Sequence, residues 1–277
     1  MITVVHGSPQ TIWVPIESSA TVYVGSIVAV NTDAATEGVT ILPDAAGAFN
    51  LTNSDVPFGV CIGTNRKSPL YNTVTGTEYI TCPGEADAHD GSSIDYVGVE
   101  GPWAKGDTIP MVKIAVITPS TVLRAPIFNG NTRTAIPVGA ATGASTTGQG
   151  VTLDTALAFT PTTDPISTIY CRSGANAGSY RLMDAAHTTV LTWDTSLRSD
   201  IATGDTFVGV PIRTHGFSTI QFDATYASWI DASDEPAEAG TDLWGITVLR
   251  LDLSVAGGEY CEFMFGAGHF HYNSAAS

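Results

Sequence analysis

Two histidines alternate in Gly268-His-Phe-His-Tyr272. Residues two apart share a face of a strand, so His269 and His271 would project together, and Glu259 or Glu262 could approach to complete a metal site. Such a site takes three or four ligands and the sequence assigns two, so the expectation is surface or interface histidines, with no metal and no cofactor. Hydrolytic chemistry is no better supported. There is no G-x-S-x-G, and the nearest sequence, His215-Gly-Phe-Ser-Thr219, lacks the second glycine and the strand-to-helix setting of a nucleophile elbow. Asp231, Asp234, Glu235 and Glu238 would supply the carboxylate pair of a glycosidase, but they fall in a run with the composition of a solvated turn. Gly266-Ala-Gly268 opens like a dinucleotide fingerprint without the helix that must follow it. Trp13, Trp103, Trp229 and Trp244 could stack on sugars, although tryptophan is more often packed inside. The expectation is a protein that is not an enzyme.

Composition narrows the partners. The chain has 277 residues, 27 Asp and Glu against 11 Lys and Arg, and a net charge of −16. Only Lys67, Lys105 and Lys113 are lysines. Affinity for nucleic acid comes mostly from cations that neutralise phosphates, and attraction to an anionic membrane follows the same rule, so neither partner is expected. Charged residues are 14% and hydrophobic residues 43%, which excludes a disordered chain. The first residues lack a basic region followed by an apolar core, and no run approaches the ~18 apolar residues of a membrane span, so synthesis in the cytoplasm is expected. Cys61, Cys82, Cys171 and Cys261 contain no C-x-x-C spacing and are expected as buried, free thiols.

The elements that must position any site are strands. Short alternating apolar runs closed by Gly, Pro and Asp leave no room for a helix. The expectation is an all-β chain: a small antiparallel β-barrel over residues 1–123, a linker or exposed loop over 124–150, and a β-sandwich or jelly-roll-like domain over 151–277. In the first module the expected strands are 22–30, 39–42, 58–62, 78–81, 94–99 and 108–117. Residues 139–150 carry no charge, no aromatic and no large apolar side chain, which is the basis for the linker. In the second module strands are expected at 168–172, 179–183, 190–193, 206–212, 219–222 and 226–230. A closing hairpin should join 245–255 to 259–265, with Leu249, Leu251, Leu253 and Val255 on one face and Cys261, Phe263 and Phe265 on one face of its partner.

Residues 1–17 hold Ile2, Val4, Val5, Ile12, Trp13, Val14 and Ile16 in two bursts separated by His6-Gly-Ser-Pro-Gln10. The pattern suggests an extended arm that adds a strand to a neighbouring subunit, with Trp13 as its anchor. The competing expectation is the first strand of the chain's own sheet.

Val24-Gly-Ser-Ile-Val-Ala-Val30, Val56-Pro-Phe-Gly-Val-Cys-Ile-Gly63, Val97-Gly-Val-Glu-Gly-Pro-Trp103 and Gly106-Asp-Thr108 follow one another in an order that resembles the small β-barrel of phage capsid decoration, or cement, proteins. The resemblance covers about the first 120 residues, one ordinary domain length. It implies a structural virion protein on the outer capsid surface, a homotrimer bound to the major capsid protein. The alternative is a receptor- or glycan-binding β module of a tail or fibre.

Overall fold

A computed structural model describes residues 1–7, 9–17, 20–31, 38–41, 56–82, 96–97, 109–161, 166–184, 187–233 and 244–266. Among these there are twenty strands and no helix, so the chain is all-β. It divides into two units: unit 1 takes Met1–Ala125, Phe222–Trp229 and Met264–Ser277, and unit 2 takes Pro126–Gln221 and Ile230–Phe263.

The first ten strands are β1 (Thr3–His6), β2 (Thr11–Pro15), β3 (Thr21–Tyr23), β4 (Ile27–Asn31), β5 (Gly38–Ile41), β6 (Val56–Thr64), β7 (Leu70–Tyr71), β8 (Glu78–Thr81), β9 (Met111–Val116) and β10 (Val122–Phe128). In unit 1, five of them form an antiparallel sheet in the order β2-β9-β6-β4-β5, and three form a second in the order β3-β8-β7. Alternation sends Val14 and Ile16, Val22, Val28, Ile80, Val112 and Ile114 from both sheets into one core that also holds Cys61, Cys82 and Tyr96. Gly59 is required where β6 meets β9, because a Cβ there would lie 2.0 Å from Ile114 Cγ2. The expected strand 22–30 is two strands, β3 and β4, divided by a turn in which Ser26 N donates to Tyr23 O at 3.0 Å. Of the expected strand 94–99, Tyr96 and Val97 are described, and Tyr96 forms an isolated bridge to Arg66.

Unit 2 contributes β11 (Val138–Ala140), β12 (Gly150–Thr152), β13 (Ser167–Cys171), β14 (Tyr180–Met183), β15 (Val190–Thr192), β16 (Thr206–Val210), β17 (Gly216–Ile220), β18 (Ile230–Asp231), β19 (Trp244–Asp252) and β20 (Tyr260–Phe265), whose last two residues belong to unit 1. One sheet runs β11-β16-β13-β14, β12 pairs β15, and β17 pairs β19, which is followed in its sheet by β20. A core of Leu153, Leu157, Phe159, Ile169, Met183, Leu191, Trp193 and Phe207 lies among the first two groups.

Three expectations need correction. Residues 124–150 are not a linker: β10 runs into them as far as Phe128, β11 lies within them, β12 begins at their end, and Ala141 is buried in the unit 2 core. Their small side chains serve close approach, since a Cβ on Gly139 would sit 2.8 Å from Thr155 O and 2.9 Å from the Leu153 side chain. The expected strand 226–230 is a turn, followed by the two-residue β18. Along β19 and the residues just after it the buried face changes: Trp244, Ile246 and Val248 are buried, then Leu251 and, beyond the strand, Leu253, while Leu249 is 46% and Val255 63% exposed. Cys261, Phe263 and Phe265 share the buried face of β20, as the alternation implies.

Candidate interaction surfaces

His269, His271, Trp103, Asp234, Glu235 and Glu238 lie outside the described residues. Asp231 is buried, and its Oδ1 accepts hydrogen bonds from Gly130 N at 2.8 Å, Ser233 N at 2.8 Å and Ser233 Oγ at 2.7 Å. It is a turn cap, with its acceptor capacity used by the fold. Ser218 is buried and accepts from Arg213 N at 3.3 Å, whereas His215 Nδ1 bonds Thr214 Oγ1 at 2.9 Å. No group of three His, Cys, Asp or Glu among the described residues could hold a metal. The four cysteines are buried and stand outside any disulfide. Burial pushes the Cys61 thiol up to about 12 and Cys171 up to about 11, and raises Cys261 as well, so these three are not thiolates at neutral pH.

A buried polar latch closes the hairpin of unit 2. Tyr180 Oη donates to Leu251 O at 3.2 Å and accepts from Leu253 N at 3.3 Å, and Arg172 Nε donates to Leu253 O at 3.0 Å. The Arg172 guanidinium also pairs with Glu259, whose second carboxylate oxygen is buried without a partner. These bonds satisfy the backbone where β19 leaves its strand, which makes the latch structural.

The seven residues of the expected arm are divided by the structure. Ile2, Val14 and Ile16 are buried, while Val4, Val5, Ile12 and Trp13 are half-buried. Their backbone is paired within the chain: Thr3 and Val4 oppose Arg124 and Leu123, and β2 pairs β9 from Thr11↔Ala115 to Pro15↔Met111. The segment is therefore not a free arm, because each burst alternates and one side of each has a core to fill. Among the described strands, β2 is the last hydrogen-bonded strand of its sheet, and β5, the strand at the other end, comes near it. Beside β1 lies a groove of about 340 Å³ lined by Met1, Ile2, Val4, Val24, Val60 and Ile62, among others, with Ile62 44% exposed at its rim.

A second surface involves residues that the sequence did not single out. The outer side of β3-β8-β7 carries Tyr23 opposite Tyr79 and Tyr79 opposite Leu70, while the alternate residues Val22 and Ile80 are buried beneath. Tyr226 stands edge-on to Tyr23 with ring centroids 4.9 Å apart, and Tyr23 and Tyr79 are 5.7 Å apart. In the next row Thr21 and Thr81 share a hydrogen bond of 2.9 Å. Tyr226 is held by Asp223, whose carboxylate accepts from Tyr226 N at 2.6 Å, Thr225 N at 3.2 Å and Ser228 N at 3.0 Å. Ala227 O accepts from Ile27 N at 3.0 Å and ties this turn to β4. Burial raises the Tyr23 hydroxyl pKa, with Tyr226, Tyr79 and Asp223 adding to it. Of the tryptophans considered for sugar stacking, Trp229 and Trp244 are buried and Trp13 is half-buried.

A trough of about 370 Å³ in unit 2 is lined by Thr142, Ser145, Thr147, Gln149, Thr152 and Thr192, among others. Its polar groups bond to the chain itself: Thr142 Oγ1 to Thr152 O at 3.1 Å, Thr192 Oγ1 to Asp184 at 2.5 Å and Gln149 Nε2 to Asp194 O at 2.9 Å. Comparison with protein-family models, with curated proteins and with solved structures finds no match for this chain.

Proposed function

We propose that the protein is a structural virion component that decorates an assembled phage capsid by binding the major capsid protein, and that it acts without catalysis. The observation that carries this reading is the terminal place of β2, which pairs only with β9 among the described strands and carries half-buried Trp13. An exposed edge recognises another sheet through its backbone, and an aromatic anchor supplies much of the affinity. The apolar groove beside β1 adds exposed Ile62 as a second contact. The resemblance of residues 24–30, 56–63, 97–103 and 106–108 to cement proteins points the same way. Binding that is stronger to the assembled shell than to free subunits stabilises the shell by mass action, and trimers on the outer surface are the expected arrangement.

Cosedimentation with purified shells of the source phage tests the reading. A copy number near that of the capsid subunit is expected, and Ile62→Asp should weaken binding without lowering the melting temperature. A handful of copies per particle would point to a tail component, and absence from virions would overturn the proposal.

A further inference from the structure

We propose that the outer face of β3-β8-β7, completed by Tyr226, is a binding site for neutral oligosaccharides of the hexose type. The ligand class follows from what this face presents. Tyr226, Tyr23, Tyr79 and Leu70 form one continuous row across three strands and the adjoining turn. Tyrosine rings offer an apolar face and a polar tip, which matches a pyranose with C–H groups on one side and hydroxyls at its rim.

Charge selects among sugars. Thr21, Tyr23, Leu70, Tyr79, Thr81 and Tyr226 include no acidic or basic side chain of the Asp, Glu, Lys or Arg kind, and burial favours the protonated Tyr23 hydroxyl as a donor. A chain of net charge −16 disfavours an anionic glycan, and Asp223, the carboxylate that acts on Tyr23, is buried and taken up by backbone donors, so it is not presented to a cationic ligand. Neutral hydroxyl-rich ligands remain. Size argues against a protein: a stable protein interface engages roughly 20–30 residues a side, whereas this row is four side chains wide with a hydroxyl pair as its border. The site is also rigid before binding. Tyr23 and Tyr79 are fixed by cross-strand pairing, and Tyr226 by the three backbone donors on Asp223, so little side-chain freedom is lost on stacking.

The inference is independent of shell binding and is tested without shells. Maltohexaose, cellohexaose and mannohexaose are titrated into the purified full chain, with hexagalacturonate as the anionic control, and followed by saturation-transfer NMR and tyrosine fluorescence. Transfer from tyrosine to at least one neutral hexasaccharide is expected, with a dissociation constant on the order of 1 mM. Tyr79→Leu should weaken it about tenfold, the loss of one aromatic contact. Leu70→Asp, at a surface position that leaves the core intact, should weaken it as well. The proposal is overturned if none of the three neutral sugars receives transfer, or if hexagalacturonate binds equally well. Unchanged affinity in both variants with unchanged melting temperatures also overturns it, whether the sugar then binds elsewhere or the row serves a protein.

Discussion

Strands β2 and β11 are anchored by opposite means. β2 is rich in large side chains, and Val14, with Ile16 just beyond the strand, fills the core of unit 1. β11 has almost no side-chain volume at its centre, and its hold on unit 2 comes from the backbone: it pairs with β16 from Val138↔Val208 to Ala140↔Thr206, while Gly139 lies against Leu153 and Thr155. A strand can be fixed by filling space or by leaving none. Truncation should damage the first, and enlargement the second.

The largest effect is expected at the first anchor. Ile16→Ala removes a fully buried side chain and should destabilise unit 1 by ~2–5 kcal/mol in denaturant titration. A change of only a few tenths would mean that residues 1–17 do not contribute to the core. At the second anchor, Gly139→Val should cost about 1–3 kcal/mol through overpacking against Thr155 and Leu153. A linker glycine would tolerate valine, so a silent substitution would break the comparison.

A smaller effect separates a third kind of anchor, the polar turn around Asp223. Burial outweighs the backbone donors of Ser228, Tyr226, Thr225 and Trp229 and raises the carboxyl from 3.8 to about 6. A carboxyl pKa raised in the folded state means that the native chain holds more protons than the unfolded one between about pH 4 and 6. Its stabilising contribution is thus complete below the unfolded pKa and is lost as pH rises through about 6. Relative to Asp223→Asn, the unaltered protein should gain about 1 kcal/mol on going from pH 7 to pH 5. A loss over that range would reverse the assigned sign. The smallest expected effect is none: reducing agent should leave the melting temperature unchanged, because all four cysteines stand outside any disulfide. A drop of several degrees would instead reveal a bridge, whose loss typically costs ~2–5 kcal/mol.

Much of the strand pattern was legible because alternation is local. Phe58 to Ile62, Glu78 to Thr81 and the buried face of Cys261, Phe263 and Phe265 follow from residues two apart. The exposed Leu249 and Val255 show the limit, since a change of buried face inside β19 depends on its neighbours rather than on its own sequence. Residues 139–150 were misread for a related reason: small residues look like freedom when the atoms that crowd them, such as Thr155 O beside Gly139, are unknown. The tyrosine row was illegible because its members stand at 23, 79 and 226, joined only by cross-strand register and a distant turn. The histidine pair at 269 and 271 lies outside the described residues.

The chain passes between its two units at residues 125/126, 221/222, 229/230 and 263/264. During synthesis, this order makes unit 1 the first to begin and the last to finish. Its sheets emerge early, but the turn that holds Tyr226 and the Phe265 ring that meets Phe222 at 6.2 Å arrive only after most of unit 2 has left the ribosome. At ~5–20 residues per second, the delay between Ala125 and Phe265 is on the order of 10 s. For that interval the nascent chain carries an incomplete first unit, and a prematurely terminated product would reach the chaperones and proteases of the cell without the Phe222 and Phe265 that this unit buries.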